Sequence, residues 1–144
     1  MATSDPIPDA AIEAALAKAG PYPMAAYHFV QEGLRFTVRQ VQEQRSRDRS
    51  LGEMGQGEHV TGQQLCLGLR DLAIEQFGLL APAVLASWHV HRTDDFGRMV
   101  FAMIEAGVMS KTSQDTLEDF VAVYDFAEAF HGEQAAMAIQ APAV

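Results

Sequence analysis

The chain has 144 residues, of which 49% are hydrophobic and 20% are charged, and its formal net charge is −9 at pH 7. Such values are typical of one globular domain that buries a hydrophobic core. No stretch reaches the roughly 18 uncharged apolar residues that a membrane span needs, and we expect no signal peptide. Because Cys66 is the single cysteine, no internal disulfide can form, and we expect a cytoplasmic protein.

The first half of the chain predicts two helices and a connection. Residues 9–20 have a helical apolar face, with Asp9 as the expected N-cap. A second, longer helix begins at Pro23 and carries one apolar stripe. Gly33 in its interior costs about 1 kcal/mol relative to Ala, which indicates a close crossing with another helix. Residues 45–60 have no apolar period and contain three glycines, so we predict a flexible connection there.

The segment 61–77 carries the clearest helix signals in the chain. Thr61 and Gln64 have the Thr-x-x-Gln spacing of a capping box, in which each side chain bonds the backbone amide of the other residue. Gly78 follows as a left-handed stop. The sequence therefore predicts both ends of this helix.

The remaining elements are predicted less uniformly. Helices are expected at 81–88 and 93–106, the second with Thr93 as its N-cap and with acidic residues in its first turn. Residues 108–126 fit two alternatives, a β-hairpin around a polar turn or a helix. Residues 131–144 are predicted to form a disordered tail.

Together these elements predict a mainly α protein, a compact domain of about five helices over residues 1–130. The order of elements in 61–126 resembles a winged helix-turn-helix with a short C-terminal β-hairpin. In DNA readers, the third helix of that motif presents polar and basic side chains to the major groove. Here that helix carries three acidic residues against Arg98 alone. Its DNA face thus has the wrong charge, which favours contact with protein or a purely structural use of the fold.

The tripeptide Asp-Phe-Gly at 95–97 is familiar from protein kinases, where its aspartate holds a magnesium ion on ATP. A kinase also needs a glycine-rich loop, a strand lysine and a His-Arg-Asp loop, and the sequence has none of them. Nucleotide-binding loops and the common hydrolase and metalloprotease motifs are missing as well. A non-enzymatic protein without a cofactor is therefore favoured.

His89 and His91 are the best candidates for a metal site, because alternate residues of an extended segment face the same side. A zinc site needs three or four ligands, and Asp94 is the nearest carboxylate that could join them. A metal-dependent enzyme at this place is our third hypothesis, and a surface loop is the simpler interpretation. Cys66 lies between leucines in a predicted helix, where a free cysteine usually behaves as a buried hydrophobic residue.

Half of the basic residues fall within fifteen positions, which makes them the one candidate surface for nucleic acid. Binding to phosphates by this cluster would weaken steeply with salt. A solvated helix end is the simpler interpretation, and we treat a nucleic-acid-associated regulator as the second hypothesis. The five arginines are Arg35, Arg39, Arg45, Arg47 and Arg49.

The C-terminal third of the chain concentrates the acidic charge, with seven acidic residues against Lys111 from residue 99 onward. This asymmetry predicts a protein-interaction or regulatory module that faces a basic partner protein. Apolar side chains on several helices leave a homodimer open as well, since periodicity does not distinguish a core from an interface. The residues predicted to face the partner are Asp115, Glu118, Asp119 and Asp125.

Four runs of the sequence are long and specific enough to compare with known families: "AAYHFVQEGLRFTV", "HVTGQQLCLGLRDLAIEQFG", "RTDDFGRMVFAMIEAGVMSKTSQDTLEDF" and "VYDFAEAF". They resemble a family of small uncharacterised bacterial proteins from the planctomycete and verrucomicrobial lineages. The resemblance covers roughly residues 9–130, and the segment 45–58 and the tail after 131 depart from the compact pattern of the family. It implies a free-standing soluble bacterial protein and supplies no activity, cofactor or catalytic residue.

Overall fold

The computed structural model describes residues 1–8, 10–47 and 59–130. This part of the chain is mainly helical, as predicted, and no helix in it is both long and apolar enough to cross a membrane. Two 3₁₀ turns, Gly78–Leu80 and Leu117–Phe120, accompany the α-helices. The helices are α1 (Ala10–Ala17), α2 (Met24–Arg47), α3 (Gly62–Phe77), α4 (Ala81–Ser87), α5 (Thr93–Glu105) and the one-turn α6 (Phe126–Ala129).

Three sequence predictions concern residues that lie wholly or partly outside the described part of the chain. The expected N-cap Asp9 and the expected tail 131–144 lie outside it, as does the central part of the expected connection. The first residues of that connection, 45–47, belong to α2 instead. The flexible connection was therefore predicted to start too early.

The core of the described structure is formed mainly by α2, α3 and α5. Each of these helices turns one apolar face inward, so the apolar residues that recur at helical spacing in the sequence are those that pack in the core. Among the largest side chains buried to 1% exposure or less are Tyr27, Leu34, Leu65, Leu69, Phe96 and Met103.

Helices α2 and α3 cross at close range, as predicted from the glycine at position 33. A Cβ atom on Gly33 would overlap the side chain of Leu69, and one on Gly68 would overlap the hydroxyl of Thr37. The Thr37 hydroxyl donates a hydrogen bond to the Gly33 carbonyl oxygen at 2.7 Å, which satisfies the buried polar group at the crossing. The two glycines thus allow the backbones to approach where larger residues would separate them.

Both predicted ends of α3 are confirmed. The Gln64 amide donates to Thr61 Oγ1 at 3.1 Å, and the Thr61 amide donates to Gln64 Oε1 at 2.8 Å, which completes the capping box. Gly78 ends the helix with a positive φ of 54°, a conformation that costs glycine little.

Residues 108–126 form neither the predicted hairpin nor the alternative helix. They contain the turn Leu117–Phe120, and the single β-bridge among the described residues joins Met109 to Ser4 near the N-terminus. The winged-helix arrangement is therefore not confirmed. In this segment, Phe120 packs so closely on Gly97 of α5 that a Cβ atom on Gly97 would lie 2.8 Å from the Phe120 Cβ.

The prediction that Thr93 caps α5 is wrong. Arg92 occupies the N-cap position, and Thr93 is the first helical residue. The Thr93 hydroxyl donates to the carbonyl oxygen of Phe120 at 2.6 Å and accepts from the Val123 amide at 3.1 Å. Thr93 therefore serves a tertiary contact in place of a local cap.

Candidate interaction surface

The start of α5 is organised by a buried carboxylate, that of Asp95, which is 5% exposed. Its Oδ2 accepts hydrogen bonds from the amides of His91, at 2.8 Å, and Arg92, at 3.2 Å. Its Oδ1 accepts from the Tyr22 hydroxyl at 2.5 Å and from the Arg98 guanidinium at 2.8 Å. Burial and the bond to Asp95 raise the pKa of Tyr22. The aspartate of the kinase-like tripeptide is thus fully occupied by structural contacts.

His89 and His91, the candidate metal ligands, lie in the short segment between α4 and α5. His89 has a positive φ of 64° and follows the end of α4, while the His91 amide is bound to Asp95. Asp94 Oδ1 accepts a long hydrogen bond, 3.3 Å, from the Ala122 amide. Within residues 1–8, 10–47 and 59–130, no three His, Cys, Asp or Glu side chains are grouped as metal ligands.

His91 and Asp94 do line an open cleft of about 510 Å³ together with Tyr124 and Phe126. The two rings stack with centroids 5.8 Å apart, so one wall of the cleft is aromatic. Both His91 and Arg92 are exposed at its edge, where water screens the charge of Arg92. The cleft therefore offers a shallow surface with mixed charge.

Cys66 is buried, as the sequence predicted. Burial raises the pKa of its thiol to about 12, and the negative charge of Asp94 adds to the effect. Because the thiolate is the nucleophilic form, Cys66 is unreactive at neutral pH. Its backbone oxygen accepts a hydrogen bond from the Tyr124 hydroxyl at 2.8 Å, which ties the C-terminal segment to α3.

The described arginines of the basic cluster do not share one face. Arg35 and Arg39, one turn apart, are exposed on α2, and Arg47 is exposed near its end. Arg45 is partly buried and lines a groove beside the start of α3. At 3.6 residues per turn, Arg45 and Arg47 point about 160° apart around the helix. Arg49, the fifth member, lies outside the described residues.

The four predicted acidic residues also differ in their surroundings. Asp115 is 7% exposed and pairs with the Met1 ammonium group at 2.8 Å, so it cannot face a partner. Asp119 accepts from the Thr116 amide at 3.2 Å, and Asp125 caps α6 by accepting from the Ala127 amide at 2.7 Å. Glu118 is exposed. The predicted acidic surface is therefore smaller than the sequence suggested.

An apolar pair that the sequence did not indicate lies beside the acidic residues. Leu117 and Val121 are 50% and 54% exposed, and they line a small cavity of about 90 Å³ with Asp94 and Arg98. Glu118 lies in the same turn. We call Asp94, Leu117, Glu118 and Val121 the acidic corner. In both predicted conformations of this segment, the β-hairpin and the helix, Leu117 would face inward. Nothing in the sequence therefore indicated that it is exposed.

A second exposed apolar surface lies directly after the C-terminal end of α3. Leu79 and Leu80, in the first 3₁₀ turn, are 52% and 66% exposed. Their signal in the sequence is that two leucines follow the helix stop Gly78, outside the period of α3.

The chain matches no protein-family model, and neither a curated protein nor a solved structure is significantly similar to it. The resemblance to a bacterial family therefore stays a prediction.

Proposed function

We propose that the protein is a non-enzymatic interaction module that binds a basic segment of a partner protein at the acidic corner. The observation that carries this proposal is the exposure of Leu117 and Val121 beside the carboxylates of Asp94 and Glu118. Large aliphatic side chains that stand half in water gain free energy when a partner covers them. Carboxylates around them select a partner with Lys or Arg near its apolar residue.

The charge balance around the acidic corner supports a basic partner. Arg98 lines the small cavity with Asp94, and its guanidinium also binds Asp95 at 2.8 Å, so its charge is divided between the two carboxylates and offsets the acidic corner only in part. Covering half of two aliphatic side chains contributes on the order of 1 kcal/mol each. The rest of the affinity comes from charge pairs and backbone contacts. We therefore expect weak binding that falls as salt increases.

The proposal is tested by panning a library of random displayed peptides against the purified protein at low salt. We expect the selected peptides to combine an aliphatic or aromatic residue with flanking Lys or Arg. Their affinity should fall about tenfold or more, equivalent to about 1.4 kcal/mol, in Leu117→Ser and in Glu118→Lys. Leu79→Ser, which removes a leucine elsewhere that is 52% exposed, against 50% for Leu117, is the matched control and should bind as the wild type does.

Two outcomes contradict the proposal. One is a library that yields no enriched peptide. The other is a set of peptides that bind Leu117→Ser and Glu118→Lys with wild-type affinity, because those peptides recognise another surface. Thermal unfolding by circular dichroism verifies that each variant remains folded.

A further inference from the structure

The outer face of α4 is free of charge over its whole length. Residues 76–91 contain no Asp, Glu, Lys or Arg, although a fifth of the chain is charged. The inner side of the helix, with Ala81 and Leu85, is buried. Six exposed residues from α4 and the turn before it form the outer side, which we call the neutral face: Leu79, Leu80, Pro82, Ala83, Ala86 and Ser87.

The neutral face lies between two residues of an aromatic cluster, Phe77 before it and Trp88 after it. The Trp88 ring centroid lies 5.5 Å from that of Phe29 and 5.9 Å from that of Phe77. Just before the face, the Gln76 amide donates to the Glu32 carboxylate at 2.8 Å. The two ends of the neutral face are therefore packed against α2.

We propose that the neutral face is the contact between two copies of this chain in a twofold symmetric dimer. Each copy carries a net charge of −9, so the overall charge opposes the approach of two copies. A twofold interface places each patch opposite itself, and the acidic corner would then bring its carboxylates against identical carboxylates. The neutral face meets its copy without that repulsion and buries four exposed leucines, two from each copy.

The size of the neutral face sets the strength of the dimer. A standard interface uses about 20 to 30 residues on each side, and smaller ones are transient. Six residues and their neighbours fall below that number. The dimer is therefore weak, with a dissociation constant on the order of 10 to 100 μM.

Sedimentation velocity of the full chain, from about 5 to about 500 μM, tests the dimer. We expect a concentration-dependent shift from monomer to dimer. Leu80→Glu places a carboxylate opposite its own copy and should weaken the dimer at least tenfold, as should Ala83→Glu on the same face. Leu117→Glu makes the same leucine-to-glutamate change at the acidic corner and should leave the dimer unchanged.

Salt separates this proposal from the function proposed above. Screening of the net negative charge strengthens contact between two copies or leaves it unchanged, whereas binding of a basic segment weakens. A monomer at every concentration overturns the dimer, and so does a dimer that survives both Leu80→Glu and Ala83→Glu. Dissociation by Leu117→Glu alone would place the interface at the acidic corner and overturns the proposal as well.

Discussion

At the end of α4, His89 adopts a left-handed backbone conformation with a φ of 64°, which residues other than glycine rarely take. The Val90 amide bonds the Leu85 oxygen at 2.9 Å and the His89 amide bonds the Ala86 oxygen at 3.0 Å, the pattern of a Schellman motif. Gly107 occupies the same position after α5, with a φ of 82°. The sequence signalled the second of these ends, because it has glycine there, and not the first.

This pair of helix ends gives a matched prediction. His89→Gly removes the left-handed strain and should raise the free energy of unfolding by about 0.5 to 1 kcal/mol, after the greater entropy of glycine in the unfolded chain is subtracted. Gly107→Ala should lower it by about 1 kcal/mol through backbone strain alone, since its Cβ meets no atom within 4 Å. Urea unfolding followed by circular dichroism measures both. A loss of stability in His89→Gly would mean that the imidazole makes stabilising contacts.

Asp95 and its neighbour Asp94 give a second matched pair. Asp95→Asn removes a buried charge that accepts four hydrogen bonds, and we expect a loss of about 2 to 3 kcal/mol. Asp94→Asn changes a half-buried residue with one long bond and should cost less than about 1 kcal/mol. Denaturant midpoints compare the two. Equal losses of stability would show that both carboxylates stabilise the fold only through their charge at the positive N-terminal end of α5, and not through the hydrogen bonds of Asp95.

The position of Asp95 in the first turn of α5 could be predicted from sequence, because the signal is local. Its bond to Tyr22 could not, since the two residues are 73 positions apart. The same limit explains the error at Thr93. A threonine before a helical segment favours a cap, but a partner 27 positions later, the Phe120 oxygen, takes its hydroxyl.

Among the elements, the crossing of α2 and α3 depends on two glycines whose side-chain space is already filled. In Gly68→Ala, a gain in helix propensity of about 1 kcal/mol opposes the overlap with Thr37. Overpacking of a tight contact costs about 1 to 3 kcal/mol, so we expect a net loss of stability of about 1 kcal/mol.

A double-mutant cycle separates the two effects at this crossing. Thr37→Ala removes the Thr37 hydroxyl, the atom that a Cβ at position 68 would meet first. Gly68→Ala should therefore cost at least about 1 kcal/mol less in the Thr37→Ala background than in the wild type. Additive effects would show that the helices move apart without strain.

The helices themselves were predictable because their signals lie within each segment. The capping box fixes the start of α3, and glycines fix the ends of α3 and α5. The segment after α5 has no such signal. Its apolar residues fit the two-residue period of a strand as well as the period of a helix. Its conformation is decided by Phe120, which packs against Gly97 of a helix that precedes it.

At the scale of the whole molecule, the acidic corner and the neutral face both expose leucine, the first among charged residues and the second among uncharged ones. Leu117 lies beside the charged Asp94 and Arg98 and precedes Glu118, whereas Leu80 has no charged neighbour in sequence. The exposure of Leu117 could not be predicted, because burial depends on which elements pack together and not on the residue type. Leu80 at least lies outside the helical period of α3. The charge asymmetry could be predicted, although it overestimated the acidic surface by including the buried Asp115.

Asp115 connects three distant parts of the chain. Its Oδ2 lies 2.8 Å from the Met1 ammonium group and 2.9 Å from the Thr112 amide nitrogen. The Met1 ammonium also donates to the Val60 oxygen at 3.2 Å. Burial by itself raises the pKa of Asp115, but the hydrogen bonds from Met1 and Thr112 outweigh it and hold the pKa below its ordinary value.

The lowered pKa predicts how the stability of the whole fold depends on acid. A carboxylate whose pKa is lower in the folded state stabilises the protein above its unfolded-state pKa, near 3.9, and that contribution is lost as the pH falls through the folded value. Asp115→Asn should therefore cost about 3 kcal/mol at neutral pH, because it leaves a buried ammonium group without its counter-charge. The difference from wild type should shrink below about pH 4 by the part that the lowered pKa of Asp115 contributes.

Urea midpoints of the wild type and Asp115→Asn from about pH 7 to about pH 2.5 measure this difference directly. Other carboxylates titrate in both proteins, so subtraction of the two curves isolates Asp115. Glu118→Gln, at an exposed site three residues away, is the control and should follow the wild type throughout. If the curves of wild type and Asp115→Asn stay parallel down to the lowest pH, the proton is not taken up at Asp115, and the ion pair with Met1 does not stabilise the fold.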